Sequence, residues 1–307
     1  MSFALATTHK PTNDRSMPVL LIYAVQSAFG NLRPIRCHRG SRLRTITILV
    51  CWLAALFGPE CNVVRAQLKT PPKTLTDRYG AVYRGDTSQK KLALVFTGDE
   101  LGESTGPILK QLNERGIEGA FFVTGKFVGQ LKLSRLLEQA VRGGHYIGPH
   151  SDSHPLYCSW EDRKKSLVTE EFFTDDLSKN LKKLRAIGAL KNGEPIAFIP
   201  PYENHNLDQV RWARKIGVTL INFTPGSGSN RDYAREGDSH FAAAQKIFDD
   251  ILAYEQKDPH GLNGFVLLMH LGSRRKDPLH PLLGKLCDEL KERGYEFERV
   301  DRMLLQP

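Results

Sequence analysis

Residues 91–100 read Lys91-Leu92-Ala93-Leu94-Val95-Phe96-Thr97-Gly98-Asp99-Glu100, an apolar run that stops at a glycine and two carboxylates. A short, continuously apolar run bounded by polar residues is the pattern of a strand covered on both faces, as in a parallel sheet. Six further runs of this kind follow: Ala120–Thr124, Tyr146–Pro149, Ile196–Ile199, Val218–Asn222, Phe265–His270 and Glu296–Val300. Between them lie amphipathic stretches that predict helices at Thr105–Arg115, Leu131–Arg142, Glu170–Ile187, Leu207–Ile216, Ala242–Glu255 and Pro281–Arg293. Four of these stretches end at glycine (Gly116, Gly188, Gly217, Gly294), the residue that closes a helix in the left-handed conformation. Seven strands alternating with crossover helices predict an α/β fold, an open or closed (β/α) barrel. In such folds the chemistry gathers at the C-terminal ends of the strands. That rule selects Asp99 and Glu100, His150 and His154, Tyr202, and His270.

The 307 residues carry a formal charge of +9, with 40% hydrophobic and 25% charged residues, an ordinary globular composition. The charge is unevenly placed. Residues 1–66 hold eight Lys/Arg against two Asp/Glu, whereas the remainder holds 35 against 32 and is nearly balanced. Nucleic acid is therefore not an expected partner. Cys37, Cys51 and Cys61 lie in the leader, which leaves Cys158 and Cys287 as the only cysteines beyond it. Two cysteines make neither a disulfide framework nor a structural zinc site.

Arg36, Arg39, Arg42 and Arg44 precede the apolar run Thr45–Phe57, which is followed by a short polar stretch ending Val64-Arg65-Ala66. A basic region, a short apolar region and small residues before a break read as a secretory signal. The run is shorter than the roughly 20 residues of a membrane span. The chain is thus expected to be exported, periplasmic or secreted, with cleavage near Ala66 and no stable membrane span in the mature form. The alternative is a membrane anchor at residues 45–57. Residues 67–90, with Pro71 and Pro72, read as a linker, and residues 91–307 as the catalytic domain.

His150 and His154 stand four apart just after an apolar strand, so both rings can reach one ion. Two imidazoles with the carboxylate of Asp99, and positions left open for water, suit a catalytic divalent metal. His270 ends the fully apolar strand Phe265–Met269 and emerges at the same rim. Asp152, between the two histidines, reads either as a partner that orients a ligand ring or as a turn former.

With these motifs, residues 91–300 resemble the polysaccharide deacetylase (NodB-homology) family, carbohydrate esterase family four. Its paired-aspartate motif after the first strand is matched loosely by Thr97-Gly98-Asp99-Glu100. Its H-x-x-x-H motif is matched by His150 to His154, its R-x-P-Y motif partly by Ile199-Pro200-Pro201-Tyr202, and its L-x-x-H motif by Leu267 to His270. The resemblance implies a distorted (β/α) barrel of about seven parallel strands. It also implies a divalent metal, zinc first and cobalt, nickel or manganese next, held by an Asp and two His. The implied activity is removal of N- or O-linked acetyl groups from carbohydrate, with Pro201 and Tyr202 at the substrate.

In the family, the first Asp of the pair is the base and the second binds metal. Aligned on Thr97, Asp99 becomes the base and Glu100 the ligand. Aligned by strand length, Thr97 or Gly98 occupies the base position and Asp99 the metal position. The second register is preferred, because a short carboxylate suits close approach at a strand end. Glu100 is then the nearest base, Glu203 a further carboxylate, and His270 the acid. The Arg that orients the family's base appears here as Ile199. Two other functions share these features: a catalytically silent glycan-binding relative, and a metal-dependent amidase acting on a non-sugar substrate. N-terminal sequencing of the exported protein should begin at Gln67; material that retains Arg44 would reject cleavage at Ala66.

Overall fold

The computed structural model describes residues 73–305. The expected signal sequence and its cleavage site at Ala66 lie outside the described residues. All seven strands anticipated from the apolar runs are present, in a distorted (β/α) barrel. β1 (Leu75–Thr76) and β2 (Val82–Arg84) come first, then β3 (Lys91–Gly98), β4 (Ala120–Val123), β5 (Tyr146–Pro149), β6 (Ile196–Phe198), β7 (Val218–Leu220), β8 (Phe265–His270) and β9 (Glu296–Phe297). The helices are α1 (Thr105–Glu114), α2 (Gly125–Val128), α3 (Leu131–Arg142), α4 (Glu170–Ala186), α5 (Leu207–Lys215), α6 (Ala244–Lys257), α7 (His280–Glu292) and α8 (Val300–Leu304). The four helix-closing glycines all carry positive φ.

β3 is the central strand, parallel to β4, β8 and β9, and β5 extends the sheet beyond β4. β6 and β7 pair in parallel as a separate two-stranded sheet. The ring is completed by other means. Between β5 and β6, the buried Tyr146 hydroxyl accepts from Ala197 N at 2.8 Å and donates to Ala197 O at 3.3 Å, in place of a strand ladder. On the far side, a parallel bridge joins Val82 to Ile221, and Asn222 N donates to Val82 O at 2.8 Å.

The period of two along each strand separates two cores. Leu92, Leu94 and Phe96 pack with the helices, as do Phe121, Ile147, Phe198 and Leu267. Ala93, Val95, Ala120, Phe122, Ala197, Ile199, Val266 and Leu268 fill the barrel interior, where α8 adds Val300, Met303 and Leu304. The same alternation directs Thr97 and His270, paired in register at the strand ends, toward the interior.

Two expectations are corrected. Of the expected linker 67–90, the described residues 73–90 do not form a simple linker, because β1 and β2 belong to the sheet and β2 pairs antiparallel with β8. The polar composition that suggested a linker has specific partners. Asp77 accepts from the amides of Tyr79 and Ala81 and binds His205 Nε2 at 2.8 Å, and the buried Arg84 guanidinium donates to the carbonyls of Gly261 and Asn263. The strand expected at Glu296–Val300 is only two residues long, since Val300 opens α8. Among the described residues, no helix is long and apolar enough to cross a membrane.

Tyr146→Phe should lower unfolding stability by about 1–3 kcal/mol, because it leaves the Ala197 N–H and carbonyl buried without their partner. Denaturant titration checks this as a lower midpoint with an unchanged slope.

Candidate active site

The strand ends deliver their side chains into a cleft of about 630 Å³ lined by Thr97, Asp99, Glu100, His150, His154, Trp160, Arg163, Tyr202, Glu203, Phe223, Tyr233 and His270. β5 places His150 on the same interior parity as Tyr146, and the residue is 2% exposed. Its Nδ1–H donates to Ile199 O at 2.8 Å, which leaves the Nε2 lone pair free. Its backbone N–H is taken by Asn180 Oδ1 at 3.0 Å. The chain then turns sharply, with Ser151 at φ 74° and His154 at φ 59°. Asp176 holds this turn: its carboxylate accepts from Asp152 N, Ser153 N, Ser153 Oγ and Tyr157 Oη. The outcome is a pair of imidazoles with centroids 5.0 Å apart. Burial pushes the His150 pKa down to about 3 and the His154 pKa down to about 4, so both rings are neutral in ordinary buffer.

Asp99 accepts from Thr124 Oγ1 at 2.9 Å, and its other oxygen lies 3.8 Å from His154 Nδ1 and 3.5 Å from Lys126 Nζ. Gly98 could not serve in its place: a Cβ there would come within 2.8–2.9 Å of Phe127 and Leu271. Asp99 and the two histidines share the cleft wall. Among the described residues, though, no group of three or more His, Cys, Asp or Glu side chains converges closely enough to enclose an ion. The donor chemistry fits a divalent metal: two neutral imidazoles, one of them fixed by a backbone carbonyl on its other nitrogen, and one carboxylate. The Lys126 ammonium supplies the positive charge beside Asp99. Burial works against that ammonium, but contact with Glu100 and Asp99 raises its pKa overall.

Three expected roles change. Glu100, read as the base, has a side chain that is 67% exposed and pairs with Lys126 Nζ at 3.2 Å. Pro201 is buried inside its turn, so only its neighbour Tyr202 reaches the cleft; Tyr202 is 46% exposed and packs its ring 4.5 Å from His154. Asp152 neither orients a ligand ring nor merely forms a turn. It pairs with Lys183 at 2.7 Å and fills the space that a side chain at Gly125 would need.

Several functional residues escaped the sequence reading. Asp232, in the polar loop before α6, is buried. It accepts from His270 N at 2.8 Å and binds His270 Nδ1 at 2.7 Å. That contact fixes the tautomer and leaves Nε2 facing the cleft. Burial pulls the His270 pKa down, but Asp232 and Glu203 more than offset it, and the net pKa stands above the ordinary value. Asp176 and Asn180 were legible in principle, as two polar residues on the apolar face that carries Phe173, Leu177, Leu181 and Leu184. His205 is buried against Asp77, and Arg275 is buried against Ala242 O and Phe241.

Comparison with known proteins shows the family. Residues 84–221 match the polysaccharide deacetylase family model. The chain is 39% identical over 237 residues to an uncharacterized 30.6 kDa protein from the fumA 3' region of Geobacillus stearothermophilus, covering 76% of this chain and 77% of that one. It is 24% identical over 234 residues to the peptidoglycan-N-acetylmuramic acid deacetylase PdaA of Bacillus subtilis, covering 76% and 78%. The solved structure of PdaA, a family 4 carbohydrate esterase, superposes with a TM-score of 0.59 at 23% identity, over 74% of this chain and 85% of that one. A pseudoenzyme of the same esterase family from Bacillus anthracis superposes at 0.57 with 20% identity, over 73% and 69%. The chain belongs to the polysaccharide deacetylase family.

In Asp232→Asn the His270 ring loses its anionic partner, and its titration midpoint should move to lower pH in ring-resolved NMR. The folded pKa of His270 is raised, so the pair's contribution to stability is full below about pH 6.5 and is lost as pH rises through the folded value. That alkaline loss should shrink in the variant.

Proposed function

We propose that the chain is a metal-dependent hydrolase that removes acetyl groups from a carbohydrate, acting outside the cytoplasm after export. The observation that carries this reading is the facing of two chemistries across one cleft: the neutral His150 and His154 with Asp99 on one wall, and the Asp232–His270 pair on the other. His150, His154 and Asp99 would hold a divalent cation, zinc first. Such a cation supplies Lewis-acid polarisation of the acetyl carbonyl and makes water more acidic.

The remaining work falls to the chain itself. Asp232 keeps His270 protonated at Nδ1, and the charged ring donates from Nε2 to the departing amine or alkoxide. A backbone N–H near Tyr202 supports the developing oxyanion. Trp160, 58% exposed and edge-on to Tyr202, offers a sugar ring an aromatic face at the rim. The relative PdaA is named a peptidoglycan deacetylase, so acetylated glycan strands are the first substrate class to try. N- and O-acetyl groups are both chemically accessible to this arrangement.

A second reading, a glycan-binding relative without turnover, draws on Thr97 and Ile199 standing where the family carries its base and the Arg that orients it. Acetate release separates the two. The full chain with added zinc should release acetate from acetylated glucosamine oligomers or peptidoglycan. Binding with no release across several metals would favour the silent relative.

His150→Ala and His154→Ala should each weaken zinc binding at least tenfold in calorimetric titration, and His150→Ala should also lower the unfolding midpoint, because it leaves the buried Ile199 carbonyl without its partner. Parental metal content in the double variant would place the ion elsewhere.

A further inference from the structure

The end of β3 delivers Thr97, not a carboxylate, to the position facing His270. The Thr97 hydroxyl is buried, and Oγ1 has no hydrogen-bond partner. Ile199, which would have to be basic to steady an anion at that point, is instead a buried part of the apolar barrel interior. The strand end has therefore lost both the carboxylate and the cation that would hold it.

A carboxylate reaches the same place from another element. After β6 the chain enters a single turn, Pro201–Glu203, in which Tyr202 (φ 58°) and Glu203 (φ 52°) both adopt the left-handed conformation. For side chains with a Cβ, that costs about 1–2 kcal/mol per residue. Strain of this kind persists only where the surroundings enforce it. Here Glu203 N donates to Pro200 O at 2.9 Å, and Asn222 Nδ2 donates to Glu203 O at 2.8 Å. The turn sends Tyr202 outward to the rim and Glu203 into the cleft beside Thr97 and His270. Desolvation pushes the Glu203 pKa up, with the Asp232 charge acting the same way and the His270 charge working against it. Glu100, by contrast, stands at the mouth of the cleft with its side chain turned to solvent and bound to Lys126, and its backbone carbonyl is taken by Gln130.

We propose that Glu203 is the general base of this protein, a carboxylate supplied from the loop after β6 in place of one at the end of β3. The assignment rests on the deacetylase reading above. Glu203 takes one proton from water as the water oxygen bonds to the acetyl carbon and the carbonyl π pair moves onto its oxygen. When that pair returns, the bond from carbon to the sugar nitrogen or oxygen breaks, and His270 gives its proton to the leaving group. The proton held by Glu203 then returns to His270 directly or through solvent, and acetic acid departs and gives its remaining proton to solvent as acetate, so the cycle consumes one water.

The test compares the full chain with Glu203→Gln, Glu203→Asp and Glu100→Gln, each zinc-loaded, on N-acetylglucosamine oligomers. Glu203→Gln should lose 10²- to 10⁴-fold in kcat, the usual range for a missing base, with KM within a few-fold of the parent. Its unfolding midpoint should not fall, because a partly buried charge has been removed. Glu203→Asp should retain more activity than Glu203→Gln, and Glu100→Gln should turn over within a few-fold of the parent. An active parent with Glu203→Gln at the parental rate overturns the Glu203 assignment alone, as does Glu100→Gln showing the large loss instead. A parent that releases no acetate overturns the deacetylase reading and the assignment with it.

Discussion

The Asp176 carboxylate is the contact on which the histidine side of the cleft depends. Standing on the inner face of α4, it receives the amides of Asp152 and Ser153, the Ser153 hydroxyl and the Tyr157 hydroxyl, all between 2.6 and 3.2 Å. One helical turn further on, Asn180 takes the His150 amide. Hydrogen bonds to a charged group are worth about 1.5–3 kcal/mol each, whereas two left-handed side-chain residues cost about 1–2 kcal/mol apiece. The bonds outweigh the strain at Ser151 and His154. The four-residue spacing of the histidines becomes a pair of facing rings only because a buried anion on another element pins the turn between them.

Three histidines in one cleft acquire opposite protonation behaviour from their surroundings alone. His150 and His154 are desolvated without a close anion strong enough to compensate, so they remain neutral and keep lone pairs for a cation. His270 is equally enclosed, but Asp232 lies in direct contact and holds its proton on. Neighbouring titratable groups driven in opposite directions are how an active site divides its labour. Lys126 belongs to the same balance, because it keeps Asp99 and Glu100 paired at the mouth of the cleft.

Much of the architecture was legible in the run from Leu92 to Thr97 and its six counterparts, because a strand buried on both faces must be apolar throughout. The same runs carried the parity that sends Thr97 and His270 inward. What misled the reading was Pro71, Pro72 and the polar residues after them. Asp77 and Arg84 look like linker residues until His205, Gly261 and Asn263 are seen to satisfy them.

The sequence by itself determined the order of the seven principal strands and the six long helices between them, the glycines that close helices, and the strand ends where chemistry would gather, since all of these follow from local periodicity and backbone sterics. Only the tertiary structure decided which carboxylates serve. Asp232 lies 38 residues before His270 in the chain, and no local pattern distinguishes it from other acids in its loop. Glu203 and Glu100 are alike as letters. A strained turn held by Asn222 directs one toward Thr97 and His270, and a lysine on α2 draws the other to the surface. Proton chemistry depends on distances of a few ångströms between residues far apart in sequence, and those distances exist only once the barrel has closed.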